Sequence, residues 1–210
     1  ENLLLTVCSA IYDPVTTTDE LIPSGETSSY RSNPVKLSEF ALSRKDPQYV
    51  PRAKEVLAVE RLRRTNPGDP RVGEALLGHD PADTGLGSLV MALKPGDGSA
   101  REQAASCQKV LGGFANICYE FATKRYRSNC INWGMTPFLV EKPEVFALGD
   151  YIFIPGLRQA VLENKASFSA YAVKPNGTVT AFPVSTGALT EPERQIIADG
   201  CLINYYRNNQ

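Results

Sequence analysis

One segment in the middle of the chain combines an apolar run, a loop containing two glycines and the start of a helix. Residues 88–93 are apolar except for the first, and they predict a buried strand. Residues 94–98 form the loop, and Ser99 with Glu102 three residues later predicts a capping box. Backbone N–H groups and the helix dipole at such a junction favour a bound anion. The segment therefore predicts a βα unit with an anion site at its loop.

The residue at the start of this helix strengthens the prediction of an anion site. Arg101 lies in the expected first turn, where a cation opposes the helix dipole. An anionic ligand explains it better than helix stability does. The loop lacks the Gly-Lys-Ser/Thr of a P-loop, and Arg101 stands at the third glycine position of a Gly-x-Gly-x-x-Gly motif. These departures argue against a nucleotide-binding fold.

The rest of the chain has the pattern of a mixed α/β domain with a central sheet. An apolar run at residues 3–8 predicts a buried strand, and alternation over 168–173 and 179–184 around Pro175-Asn176-Gly177 predicts a hairpin. Thr190 with Glu193 predicts the capping box of a last helix, which directs Ile203 inward. We expect residues 1–210 to form a single domain.

Residues 41–86 are expected to be an excursion from the main fold. They contain an amphipathic helix over 51–64, with Val56, Val59 and Leu62 on the apolar face and basic residues on a solvated face.

Composition and charge exclude several classes of protein. The chain has 210 residues, of which 42% are hydrophobic, and 22 basic residues nearly balance 23 acidic ones. That balance makes nucleic-acid binding unlikely, and no apolar run approaches the roughly 20 residues of a membrane span. The five cysteines form no Cys-x-x-Cys pair and there is one histidine, so no zinc site is expected. We expect reduced thiols and a cytoplasmic location, or another reducing compartment such as the mitochondrial matrix.

Two motifs and an arginine together resemble the C-terminal swivelling domain of the aconitase superfamily. Residues 98–105, Gly-Ser-Ala-Arg-Glu-Gln-Ala-Ala, resemble its Gly-Ser-Ser-Arg-Glu-His-Ala motif, and residues 17–25 resemble its Thr-Thr-Asp-His-Ile loop. Arg31 follows at the family's spacing for a substrate-binding arginine. Residues 129–137 resemble the family's Asn-x-x-x-x-Gly-Leu-Leu-Pro segment. The resemblance implies a swivelling β/β/α three-layer domain, as in the isopropylmalate isomerase small subunit.

The resemblance also implies an iron–sulfur-dependent hydro-lyase acting on a hydroxy-polycarboxylate. A [4Fe-4S] cluster would be carried by other domains or a partner subunit, with no metal bound by this chain. Ser99 would be the catalytic base that abstracts a proton next to a carboxylate. Substrate contacts are implied at the positions that match the family motifs: Arg101, Arg31, Thr18, Asp19 and Ala100.

Four positions depart from the family pattern near these residues. Ala100 replaces a serine, Glu20 and Gln103 replace histidines, and Ile22 replaces the serine of mitochondrial-type aconitases. These changes disfavour citrate as the substrate.

Three functions remain open from the sequence. The first is the closing domain of an aconitase-like enzyme. These 210 residues would then form the C-terminal part of a longer chain and would be inactive without its cluster-bearing domains. The second is a free-standing small subunit of the isopropylmalate isomerase type with a large cluster-bearing partner and a di- or tricarboxylate substrate. The third is a non-catalytic module that binds a carboxylate or RNA, in which Ser99 is only a helix cap.

Overall fold

The computed structural model describes residues 1–25, 27–66 and 70–210. Nine strands lie in this part of the chain: β1 Asn2–Ile11, β2 Thr16–Thr17, β3 Thr84–Ala92, β4 Pro95–Asp97, β5 Gly113–Cys118, β6 Thr136–Leu139, β7 Tyr151–Ile154, β8 Phe168–Val173 and β9 Val179–Val184. The α-helices are α1 Thr18–Leu21, α2 Pro34–Ser38, α3 Tyr49–Thr65, α4 Arg101–Val110, α5 Lys124–Asn132, α6 Leu157–Leu162, α7 Glu191–Asp199 and α8 Leu202–Asn208. None of the helices in the described ranges combines the length and apolarity that a membrane crossing requires.

Seven of the strands form one mixed sheet in the order β6-β5-β3-β1-β7-β8-β9. The pairs β6–β5, β5–β3 and β3–β1 are parallel, and the strands from β7 onward pair antiparallel. The sheet curls until its edges meet, because Leu139 at the end of β6 and Ser185 after β9 exchange backbone hydrogen bonds of 2.6 and 3.0 Å. The short strands β2 and β4 pair separately at the carboxyl ends of β1 and β3.

The core has two halves, one on each face of the sheet. On one face, α3 packs on β1 and β3, α4 on β5 and α5 on β6, with Tyr49 and Tyr126 among the largest buried side chains. On the other face, the curled ends of the sheet enclose an aromatic cluster in which the Phe138 and Phe168 ring centroids lie 6.4 Å apart. The strand and hairpin predictions are confirmed within this sheet, and the turn 174–178 connects β8 to β9 as expected.

Two burial predictions for the helices are wrong. Helix α3 buries Val56 as expected, but Leu62 is 51% exposed and Arg63 is buried instead. Arg63 can be buried because its guanidinium donates to the carbonyls of Pro81 and Thr84 and pairs with Glu60.

The end of the chain gives the second wrong prediction. The capping box of Thr190 and Glu193 is confirmed at α7, but Gly200 in the left-handed region ends that helix. The chain therefore changes direction before α8, and Ile203 is 72% exposed.

Candidate active site

Three chain segments meet at the carboxyl ends of the parallel strands, where open α/β sheets commonly bind ligands. The loop after β3 lies between the segments that follow β1 and β5. Thr16 N donates to Lys94 O at 3.0 Å, and Ala122 N donates to Pro95 O at 2.9 Å. Thr123, the N-cap of α5, also donates its hydroxyl to Gly96 O at 3.2 Å. These bonds fix the loop 94–98 that leads into Ser99.

Ser99 is not the helix cap that the sequence predicts. Helix α4 begins at Arg101, its N-cap is Ala100, and no side chain caps it. The capping box fails because Glu102, which would reach back to the cap, instead accepts from Trp133 Nε1 at 3.2 Å. Ser99 is exposed, and its hydroxyl makes no hydrogen bond within the described residues. The first-turn N–H groups of α4 are therefore left for a ligand.

A cavity of about 210 Å³ lies on one side of Ser99. Arg31 forms part of its wall and makes no hydrogen bond or ion pair with any described residue. Four apolar residues of the wall come from the loop after α1, from α2 and from the start of α4: Ile22, Pro23, Leu37 and Ala100. Its uncharged polar residues, besides Ser99, are Ser24, Thr27 and Gln103. The cavity thus combines the Arg31 guanidinium with an apolar patch and several hydroxyl and amide groups.

A second cavity, of about 360 Å³, lies on the other side of Ser99. It runs between the first turns of α4 and α5 and is lined by Arg101, Lys124 and Arg125 among others. The Nε atom of Arg101 is buried without a hydrogen-bond partner in the described part of the chain. Ser99 lines both cavities, whereas Arg31 lines only the first and Arg101 only the second.

Thr18 and Asp19 lie beside the first cavity but outside the set of residues that line it. Thr18 is 3% exposed and packs against Gly98, so that a Cβ placed on this glycine would lie 2.2 Å from Thr18 Oγ1. The Asp19 carboxylate accepts from the backbone N–H and hydroxyl of Ser24 at 3.0 and 2.9 Å and pairs with Arg44 at 3.1 Å. The hydrogen bonds from Ser24 hold the pKa of Asp19 below its ordinary value. Both residues thus shape loops of the site.

Three of the four departures from the family pattern line the first cavity, namely Ile22, Ala100 and Gln103. The fourth, Glu20, lies elsewhere and closes a capping box at α1, where it accepts from Thr17 N at 2.7 Å. Ile22 and Ala100 therefore place apolar side chains where the family pattern has serine, whereas Gln103 keeps a polar group at its position.

A closed ring of buried hydrogen bonds fixes α4 against α5 and β5. Gln108 Nε2 donates to Tyr126 Oη at 3.0 Å, and Tyr126 Oη donates to Asn116 Oδ1 at 2.6 Å. Asn116 Nδ2 completes the ring by donating to Gln108 Oε1 at 2.7 Å. Because one side chain comes from each element, the ring sets the spacing between the two helix starts that form the second cavity.

The cysteines of this chain do not suit an iron–sulfur cluster. Four of the five cysteines are buried: Cys8, Cys107, Cys118 and Cys130. Burial raises the pKa of Cys8, Cys107 and Cys130 to about 12. No group of three or more His, Cys, Asp or Glu side chains in the described residues is placed to hold a metal ion. Cys201 is half-buried.

Sequence reasoning did not single out Lys124 and Arg125. Both occupy the first turn of α5, where cations oppose the helix dipole, as Arg101 does in α4. The sequence did not signal this, because the start of α5 at Lys124 is known only from the structure. A larger cavity of about 430 Å³ lies at the opposite edge of the sheet, near Asn2 and Thr84, and none of the motif residues lines it.

Comparison with solved structures identifies the fold. The crystal structure of 3-isopropylmalate dehydratase from Methanocaldococcus jannaschii matches with a TM-score of 0.58, over 96% of this chain and 92% of that one, at 22% identity. No protein-family model and no curated protein matches the sequence. The expected α/β fold is thereby confirmed: this chain has the fold of the M. jannaschii 3-isopropylmalate dehydratase chain.

Proposed function

We propose that this chain is the substrate-closing subunit of a hydro-lyase of the isopropylmalate isomerase type. Its substrate would be a hydroxy-dicarboxylate that carries a small aliphatic group. One observation supports this most strongly: the free hydroxyl of Ser99 lies where two cavities meet, with Arg31 in one and Arg101 in the other. The likeness to 3-isopropylmalate dehydratase over nearly the whole of both chains favours the isopropylmalate isomerase type over the aconitase-like type.

In this proposal Ser99 Oγ takes a proton from the carbon next to a substrate carboxylate. A serine hydroxyl is a weak base, so its alkoxide needs stabilising charge and N–H donors nearby. The uncapped start of α4 offers N–H groups, and Arg101 in the first turn supplies positive charge. The guanidinium of Arg31 would bind a carboxylate through a two-point contact, for which its planar geometry is suited.

The apolar lining of the first cavity supports an aliphatic substituent on the substrate. Ile22 and Leu37 are 2% and 3% exposed, and together with Pro23 and Ala100 they leave Arg31 as the charged group of that wall. Removal of a methyl or isopropyl group from water at this site would favour binding by about 25 cal/mol for each Å² of apolar surface buried. A third carboxylate, as in citrate, would have no second cationic side chain on this wall beside Arg31, only uncharged hydroxyl and amide groups.

The cluster expected for this enzyme class would lie on a large partner subunit. The buried thiols described above do not suit cluster ligation, so this chain's part is limited to binding, positioning and proton transfer. The free thiols agree with a reducing compartment such as the cytoplasm.

The proposal is tested in the complex purified anaerobically from the source organism by a tag on this chain. Turnover of 2-isopropylmalate is compared with that of citrate, and the Ser99→Ala variant with Ser169→Ala, an exposed serine on β8. Loss of a general base lowers kcat by about 10²–10⁴-fold. We expect this loss for Ser99→Ala alone, with 2-isopropylmalate preferred.

Two outcomes would contradict the proposal. Equal turnover by both variants would remove Ser99 from catalysis, and a preference for citrate would favour the aconitase-like alternative.

A further inference from the structure

We propose that the groove formed by Arg101, Lys124 and Arg125 is a second carboxylate subsite, which extends the substrate site beyond the two arginines of the family motif. The inference rests on the proposed function, because it takes Ser99 as the point between two bound acidic groups. Lys124 and Arg125 become substrate-binding residues in addition to Arg31 and Arg101.

The charge of the groove is the first argument. Three cationic side chains line it, and Glu102 is the single acidic residue among its lining residues. The Glu102 carboxylate is oriented toward Trp133 by a hydrogen bond of 3.2 Å. Within the described ranges, neither Lys124 nor Arg125 forms an ion pair or a hydrogen bond through its side chain. The groove therefore has more positive than negative charge, and the described residues give Lys124 and Arg125 no acidic partner.

Several basic residues elsewhere in the described fold contact a carboxylate. Lys45, Arg52 and Lys54 each do so, and Arg127, one turn into α5, approaches Glu193 at 3.8 Å. Other cations, such as Lys142 and Arg207, have no side-chain partner among the described residues, but they are exposed and line neither cavity. The groove beside Ser99 differs from them because it brings three cations together.

The placement of these cations on their helices is the second argument. Arg101 is the first residue of α4, and Lys124 and Arg125 are the first two of α5. Cations at helix N-termini oppose the dipole, so these residues do not stabilise the helices that carry them. The buried Nε of Arg101, which has no partner in the described chain, adds a donor that lacks its acceptor. An anion in the groove would offset the charge that these three residues place at the helix N-termini.

The geometry argues for a second carboxylate of the same substrate rather than a separate ion. Ser99 lines both the groove and the cavity with Arg31, so a ligand that spans them passes the hydroxyl. The ring formed by Gln108, Asn116 and Tyr126 holds the two helix starts at a fixed spacing. A dicarboxylate would then have its apolar group and one carboxylate beside Arg31, and its other carboxylate in the groove.

The test uses two ligands that differ by one carboxylate-bearing arm. Isopropylsuccinate has the isopropyl group and two carboxylates, and isovalerate keeps the isopropyl group with one carboxylate. Dissociation constants for both are measured on the 210-residue chain by NMR titration at constant ionic strength. The variant is Lys124→Gln/Arg125→Gln, and the control Lys142→Gln/Arg207→Gln makes the same charge change at exposed residues that line neither cavity.

We expect the groove variant to raise the dissociation constant of isopropylsuccinate at least about tenfold, since it removes charged hydrogen bonds. Isovalerate should change by less than about twofold, and the control should leave both ligands unaffected. Unchanged isopropylsuccinate binding in the groove variant would overturn the subsite, as would equal weakening of both ligands. Absence of isopropylsuccinate binding by the wild-type chain at tens of millimolar would also overturn it.

The binding test of the groove and the turnover test of the proposed function can fail independently of each other. If Ser99→Ala abolishes turnover while the groove variant binds isopropylsuccinate normally, the catalytic proposal stands and the subsite falls. If the groove variant loses the dicarboxylate while Ser99→Ala turns over normally, the subsite stands as a binding site and the catalytic role of Ser99 falls.

Discussion

Replacing Gly98 with alanine should displace the loop that carries Ser99. The backbone of Gly98 has a φ of +133°, and an added Cβ would lie 2.2 Å from Thr18 Oγ1 and 3.3 Å from Thr18 Cβ. A side chain at such a φ costs about 1–2 kcal/mol, and forcing an extra methyl into a packed site costs about 1–3 kcal/mol. One of the two other staggered rotamers of Thr18 would bring its methyl group to the same place. The other would place a hydrogen there, but it must move both the hydroxyl and the methyl group of a side chain that is 3% exposed.

The expected loss of stability is therefore about 2–5 kcal/mol, measured as the change in free energy of unfolding by urea. Gly177 in the β8–β9 turn provides the control, since its φ is +86° and an added Cβ would meet nothing within 4 Å. Gly177→Ala should lower the free energy of unfolding only by the cost of the backbone conformation, about 1–2 kcal/mol.

A double-mutant cycle isolates the contact itself. The Thr18→Ala substitution removes the nearest atom, so Gly98→Ala should cost about 1–3 kcal/mol less in that background. The reasoning is refuted if Gly98→Ala is no worse than Gly177→Ala, or if its cost is the same with and without Thr18.

Two further perturbations follow from the same contacts. Tyr126→Phe breaks the buried hydrogen-bond ring and should lower the free energy of unfolding in urea by about 1–3 kcal/mol. The control Tyr119→Phe, at a residue that is 60% exposed, should change it by less than about 0.5 kcal/mol. Equal effects of the two substitutions would show that the ring does not form. Asp19→Asn should lower the melting temperature slightly at neutral pH. The pKa of Asp19 in the folded protein lies below its ordinary value of 3.8, so its ionised carboxylate stabilises the fold at pH values above 3.8. That stability is lost as the pH falls through the lowered pKa. The wild type and the variant should therefore converge in acid, and a difference that persists there would contradict the role of the Ser24 hydrogen bonds.

The sequence predicted the parts of the fold that depend on local chemistry. The Pro-Asn-Gly turn and the Thr190 capping box each need only neighbouring residues, and both form as expected. Ser99 and Glu102 have the same spacing as Thr190 and Glu193, but they do not form a capping box. Glu102 is drawn to Trp133, and the pairing of Asp97 with Thr17 fixes the backbone just before the helix.

Features that depend on tertiary packing were not accessible from the sequence. The burial of Arg63 requires the carbonyls of Pro81 and Thr84, which come from 18 and 21 residues away. The groove beside Ser99 exists because α4 and α5 begin at the same edge of the sheet, and periodicity does not reveal this. The motif residues pointed to Ser99 and Arg31, while Lys124 and Arg125 emerged only from the packing.

The central claim is that Ser99 takes the proton next to the substrate carboxylate. The most direct test is exchange of that proton with solvent deuterium, followed by NMR on 2-isopropylmalate with the purified complex. The account predicts exchange with the wild type and with Ser169→Ala, and none with Ser99→Ala despite retained substrate binding. Exchange by Ser99→Ala at the wild-type rate would contradict it.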